Sequence, residues 1–435
     1  MAISRRPGRQ KKHDPVSPAS QTAGSWKRSA LGIAFVAVGL LGRASIDKLL
    51  ALRAASESIA LWAQLQSIVD LVGGVVLAGI GTGLTVLVSR SETNEERIGL
   101  LHSALRLGLR LALPFAMALA VLGTFGPVWT GAERMAPFMI VAAAVVGLAS
   151  VIPGLVNAFW LGEQRRGRTL VLATATQGSV IIAGLLAPPG VMLPAMLLAL
   201  MLPALALAAG ILRRGSLNTE DTRGTDRALL RYLLPGLSIG ILSPLSMLLI
   251  RGLAAHAMTW QDVARMQAVW RASDWVTTIA GAGLYLFFLP RFSRAVESGR
   301  LPEELRRTVR WLLAPCALAL LALALMQQRI LPALYDDSFI VSPIAAALFY
   351  AGDMIRILSW VFLYALYALR RTVLIALGEL FSLPLFALML ALVGEELTLE
   401  IAAALWLLAY AIYAAFNAWA AGLSSGRTRQ PRSHR

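Results

Sequence analysis

Long apolar runs, broken by short basic or Pro/Gly-containing stretches, leave this sequence very few ways to fold. Crossing a bilayer as a helix takes about 20 apolar residues, and runs of that kind place about twelve spans along the chain. They lie near 30–52, 58–89, 98–125, 135–161, 169–187, 191–212, 230–253, 263–290, 308–326, 341–368, 372–393 and 399–421. The fold class this implies is an all-α membrane protein. Composition agrees, with 57% hydrophobic and 15% charged residues and a mean hydropathy of +0.67. A soluble domain is typically about 45–50% apolar and about 25% charged. An ordinary globular enzyme, a disordered chain and a small disulfide-stapled domain are therefore excluded. Cys316 is the single cysteine, and His13, His102, His256 and His434 are scattered. That inventory builds neither a disulfide framework nor a Cys/His metal site.

The net charge of +16 does not mark a nucleic-acid binder, because the basic residues fall between apolar runs rather than along a polar domain. They alternate. One set of connections carries Arg90 and Arg97, then Arg165, Arg166 and Arg168, Arg213 to Arg231, Arg291 to Arg310, and Arg370 with Arg371, and both chain ends belong to it. The opposite set holds only Arg53, Arg134 and Arg329 beside acids such as Glu57, Asp336, Asp337, Glu395 and Glu396. The positive-inside rule then puts both termini in the cytoplasm of a multi-pass inner-membrane protein and requires an even number of spans. Residues 1–29 lack the apolar core of a cleavable signal and read as a disordered basic tail. That tail sets topology, or touches anionic membrane lipids. The outward loops are too short for an extracytoplasmic domain, so a polar catalytic unit is not expected and the chain reads as a non-enzyme.

Laying the second span over the eighth at an offset of 204 residues aligns Asp70 with Asp274, Ala78-Gly79 with Ala282-Gly283, and Ser89-Arg90 with Ser293-Arg294. A carboxylate at mid-span is expensive in lipid and rarely incidental. An offset of six spans keeps the orientation, so the halves form a parallel repeat about an axis along the membrane normal. The expected layout is a six-helix bundle over 30–213, a cytoplasmic linker over 214–229, a second six-helix bundle over 230–422, and a basic tail over 423–435.

Charges inside the spans are the main functional signal. The cations are Arg43, Lys48, Arg251, Arg271 and Arg356; the acids are Asp47, Asp70, Asp274, Asp353 and Glu379. Each costs at least about 2.5–3.5 kcal/mol at the bilayer centre, so they face water or one another. Arg43 and Asp47 are spaced i,i+4, while Arg271–Asp274 and Asp353–Arg356 are spaced i,i+3, so private salt bridges are one reading. The other is a cationic cavity. Arg43, Lys48, Arg251, Arg271 and Arg356 would hold an anionic headgroup by guanidinium forks and a point charge. Asp70, Asp274, Asp353 and Glu379 would gate the site or couple it to an ion. Gln64, Gln66 and Gln267 could hydrogen-bond sugar hydroxyls or neighbouring helices, and Trp270 and Trp275 flank Arg271 and Asp274 as stacking candidates. The remaining tryptophans, Trp62 and Trp406 among them, read as interfacial anchors.

Met266-Gln267-Ala268-Val269-Trp270-Arg271-Ala272-Ser273-Asp274, running on to Tyr285-Leu286-Phe287-Phe288-Leu289-Pro290-Arg291-Phe292-Ser293-Arg294, resembles the eighth span of Wzx-type flippases. These form the polysaccharide branch of the multidrug/oligosaccharidyl-lipid/polysaccharide exporter (MOP) superfamily. The likeness is strongest to the group that handles enterobacterial common antigen. Gly352-Asp353-Met354-Ile355-Arg356 is similar to that family's Gly-Asp-x-x-(Lys/Arg) segment. The resemblance implies a MATE-like fold of twelve helices in two bundles. It implies alternating access that carries an undecaprenyl-pyrophosphate-linked oligosaccharide, an O-antigen or other surface-polysaccharide repeat unit, across the inner membrane. Polysaccharide polymerase or assembly proteins would be partners; no cofactor is implied, beyond proton or sodium coupling. The alternatives are a drug/cation antiporter of the same superfamily and a non-transporting scaffold for polysaccharide assembly. The basic N-terminal extension is not typical of the family.

Overall fold

The computed structural model describes residues 18–125, 136–213 and 223–422. Among them there is no β-strand, and helices of membrane-crossing length follow one another: α1 (Pro18–Arg53), α2 (Ser58–Arg90), α3 (Asn94–Phe125), α4 (Pro137–Gly162), α5 (Arg166–Leu186) and α6 (189–213). After a short linker helix (Arg223–Leu230) come α7 (Leu233–Ala257), α8 (260–297), α9 (Leu301–Leu334), α10 (Pro343–Ala368), α11 (372–393) and α12 (Leu399–Ala420). By length and composition alone, 10 of these are long and apolar enough to cross a membrane. Prolines 114, 153, 244, 315 and 332 lie inside α3, α4, α7 and α9. Membrane helices tolerate them because neighbouring groups re-satisfy the freed backbone.

One expectation changes. The first helix starts at Pro18 rather than near residue 30, so 18–29 are helical and not a structureless tail. Ser17-Pro18 is a helix-start signal, since proline is favoured at the first helical position. Residues 1–17 lie outside the described residues, as do 423–435 and the first part of the linker, 214–222. The rest of the linker is helical: Asp226 accepts a forked hydrogen bond from Arg106 of α3, both contacts 3.1 Å.

The chain forms two six-helix bundles. In the first, α1 packs on α5 and α4 packs on α2 and α3; in the second, α10 packs on α12, α9 and α8. The bundles meet along α2 against α7 and α1 against α8, two seams that the repeat maps onto each other, and between them α2 lies against α8. Both α2 and α8 are interrupted by one π turn, at Leu77–Gly81 and Leu284–Phe288. These matched irregularities fall beside the aligned Ala-Gly pairs and support the duplication read from Asp70 and Asp274.

Along α2 and α7 the backbones touch. A Cβ on Gly74 would collide with the carbonyl of Gly240, and one on Gly79 would lie 2.6 Å from the Cα of Leu233. Small residues that let membrane helices approach this closely substitute for the hydrophobic drive that lipid removes.

Candidate functional site

The intramembrane charges separate into two groups. The first lies at the α1–α8 seam, in the half nearer the acidic loops. Asp47 of α1 is buried, and its Oδ2 is 3.4 Å from Nε of Arg271 on α8. Arg271 also reaches Asp274, with Nη1 3.9 Å from Oδ2, and donates from Nη2 to Oε1 of Gln66 on α2 at 3.3 Å. The expected private pair of Arg43 with Asp47 is therefore replaced by a bond between bundles. A guanidinium forks toward three helices at once, which an i,i+4 neighbour on one helix cannot do. Arg43 makes no ion pair within 4 Å among the described residues; it is exposed and lines a small cavity with Asp47, Arg271, Asp274, Trp275 and Tyr335. That cavity holds about 20 Å³, room for about one water molecule. Asp70, exposed among buried neighbours of α2, faces the fields of Arg43, Arg271 and Arg251.

Lys48 and Arg251 each hold groups on neighbouring helices. Lys48 of α1 donates to the carbonyls of Ala333 (2.9 Å) and Tyr335 (3.1 Å), at the C-terminal end of α9 in the other bundle. An ammonium is favoured there because the last carbonyls of a helix lack partners and carry partial negative charge. Arg251 is buried and donates to Ser67 Oγ (2.7 Å), Gln267 Oε1 (2.9 Å) and the Ala63 carbonyl (3.2 Å). It ties α7 to α2 and α8. Gln64 donates to the Leu248 carbonyl at 3.0 Å along the same seam. In this state the acidic half of the molecule is clasped; toward the basic loops, α1 has no extended contact with the last part of α8 among the described residues.

The second group lies wholly within the second bundle, so Arg356, Asp353 and Glu379 do not join the first. Nη1 of Arg356 is 3.6 Å from Oδ1 of the fully buried Asp353. Its guanidinium lies over the rings of Trp360 (4.8 Å), Tyr410 (5.6 Å) and Trp406 (5.9 Å). Glu379 accepts from Tyr413 Oη at 2.8 Å. Asp274 is within electrostatic reach of both groups. Trp270 is not available for stacking on a ligand. It is buried against Trp406, Phe349 and Phe386, at ring separations of 4.7, 6.0 and 6.2 Å. Trp62 and Trp406 are likewise core residues and not interfacial anchors. Trp275, which lines the α1–α8 cavity, remains open.

This architecture has solved counterparts. A multidrug resistance MATE family transporter of the MOP superfamily, in an inward-facing conformation, superposes with a TM-score of 0.64 at 12% identity, over 90% of this chain and 96% of that one. The lipid II flippase MurJ, inward closed, gives 0.62 at 13% identity over 90% and 87%. The chain has the MOP transporter fold. In sequence, the lipid III flippase of Escherichia coli K12 is 24% identical over 379 residues, 81% of this chain and 87% of that protein; the Shigella flexneri protein of the same name matches equally. No protein-family model matches the chain.

The sequence named Gln66 only as a partner for sugar hydroxyls or neighbouring helices and Asp47 only as a mid-span acid paired with Arg43, and it did not single out Ser67 or Tyr335, nor Trp360, Tyr410 and Tyr413 of the second group. Asp47 carried a signal, a third mid-span charge on α1. The tyrosines carried only a faint one, a hydroxyl in an apolar run.

Proposed function

We propose that this protein is a flippase that carries an undecaprenyl-pyrophosphate-linked oligosaccharide from the cytoplasmic to the periplasmic leaflet of the bacterial inner membrane. The observation that carries the reading is the α1–α8 seam, where Arg43 and Arg271, one from each bundle, converge on one small cavity. Two guanidiniums from different bundles suit a pyrophosphate, and they separate when the bundles part. Lipid substrates in the names of both the sequence relative and one structural counterpart support the choice over other MOP cargo.

In this reading the basic loops and both termini are cytoplasmic, and the bundles are clasped on the periplasmic side. Headgroup entry displaces Asp47 from Arg271. Asp70 and Asp274 then act as gating residues, with the acids as the route for proton or sodium coupling. Lys48 serves the clasp and Arg251 the fixed seam, so the headgroup site narrows to Arg43 and Arg271. The second reading, a drug/cation antiporter, is favoured by one observation: Asp353 and Glu379 outnumber Arg356 in the second bundle.

The test is the leaflet distribution of lipid-linked oligosaccharides in cells lacking the protein, read with an impermeant lectin on spheroplasts. A protected, cytoplasm-facing species should accumulate. Wild-type protein should release it and Arg271→Ala, at equal membrane levels, should not. An unchanged distribution, with dye efflux dependent on the protein, selects the antiporter; no change in either selects a scaffold.

A further inference from the structure

Inside the second bundle, in the half toward the basic loops, lies a cavity of about 320 Å³ walled by α7, α8, α10, α11 and α12. That is at the lower end for small-molecule sites, about 300–1,000 Å³. On the flippase reading the headgroup site uses none of it. Its walls are aromatic to an unusual degree: Trp360, Tyr364 and Tyr367 from α10, with Tyr410 and Tyr413 from α12. Polar groups stand between the rings, namely Arg356, Ser243 and a Glu379 already hydrogen-bonded by Tyr413 and Ser382.

Three features select the ligand class. The Arg356 guanidinium, itself over the faces of Trp360 and Tyr410, supplies the cation that such a ring set would otherwise attract. Asp353 and Glu379 oppose an anion. Gly281 of α8 leaves the edge of Trp360 uncovered, since even a Cβ there would approach that ring to 3.4 Å. Rings with hydroxyl, carboxylate and guanidinium groups between them offer stacking faces beside hydrogen-bond donors and acceptors, which suits a polyhydroxylated ligand. The walls formed by α7 and α8 belong to the two helices that face the first bundle. We infer that this cavity is a sugar-binding subsite, which receives part of the glycan of the lipid-linked substrate while its pyrophosphate occupies the seam. The inference rests on the flippase reading and adds to it a place where the glycan itself is sensed.

The test is native mass spectrometry of the full-length protein with three probes: polyprenyl pyrophosphate, the same lipid bearing an N-acetylglucosamine disaccharide, and tetraphenylphosphonium. Wild-type protein should bind the glycan-bearing lipid about tenfold more tightly than the bare pyrophosphate, the scale of one or two ring contacts. Gly281→Leu, which fills the cavity, and Tyr364→Ala, which removes one wall, should each abolish that preference and leave binding of the bare lipid unchanged. Equal binding of both lipids by wild-type protein, or a preference that survives both variants, overturns the subsite and leaves the flippase reading standing. Tetraphenylphosphonium binding that Gly281→Leu abolishes overturns the subsite in favour of a cation pocket. Failure to bind either lipid overturns the flippase reading as well.

Discussion

The two seams between the bundles are equivalents under the internal repeat, yet they are built from opposite materials. At α2–α7 the contact is backbone on backbone, with Gly74 against Gly240 and Gly79 against Leu233, and Arg251 and Gln64 donate hydrogen bonds across it. At α1–α8 the contact is the Asp47–Arg271 pair, with Lys48 reaching past it to the end of α9. Close packing is short-ranged and has one good geometry, so on the proposed flippase reading the first seam serves as a pivot. Charged pairs can exchange partners, with water or with a ligand, so on the same reading the second serves as a door. Symmetry in sequence has thus become a division of labour in structure.

The sharpest way to break this contrast is at the door's central pair. Asp47→Asn should strand a largely buried Arg271 and lower stability by about 3–5 kcal/mol, the scale for removing one partner of a buried pair. The charge-swapped double variant Asp47→Arg with Arg271→Asp should recover most of that loss in thermal melts, and additive losses would mean that the pair does not hold the seam. At the pivot, Gly74→Ala should cost about 1–3 kcal/mol by overpacking. It should lower Tm and transport together, and a variant with wild-type melting would deny the backbone contact.

A smaller effect is expected at Lys48. Its loss removes two hydrogen bonds worth about 0.5–1.5 kcal/mol each, enough to shift an open–closed equilibrium several-fold or more. In a Cys316→Ala background, an Ala44→Cys reporter at the cavity should react faster with an impermeant maleimide once Lys48→Ala is added, and unchanged rates would remove the clasp. The smallest structural effect belongs to Arg43→Ala. This side chain is exposed and makes no ion pair among the described residues, so Tm should not move, whereas binding of polyprenyl pyrophosphate should weaken. Equal affinity would take Arg43 out of the headgroup site.

Most of the architecture was legible because lipid makes it so: apolar runs had to be helices, and basic breaks had to alternate. Asp70 and Asp274 revealed the repeat, since charges that cost so much in a membrane stand out in sequence. Partner choice was not legible. Arg43 and Asp47 have the spacing of a helical pair, but nothing on α1 alone shows that Arg271 of a distant helix is better placed. Lys48 looked like a ligand for a phosphate and instead holds two carbonyls, because the end of α9 is a negative site that side-chain reading cannot see. The aromatic cavity was hidden for a further reason. Its tyrosines are apolar by composition, and their hydroxyls converge only when α10 and α12 pack.

The π turns in α2 and α8 also set a phase. Successive residues of an α-helix point about 100° apart, and a π turn closes on the fifth residue rather than the fourth, so each one sets everything after it back by roughly that angle. Upstream of its turn, α2 shows Asp70 to the charged seam; downstream it shows Gly83 to Tyr232. Straightening Leu77–Gly81 into regular α-helix without removing a residue would leave two good helical segments and an intact composition, yet the second segment would meet its neighbours with the wrong face, like a gear that has slipped one tooth.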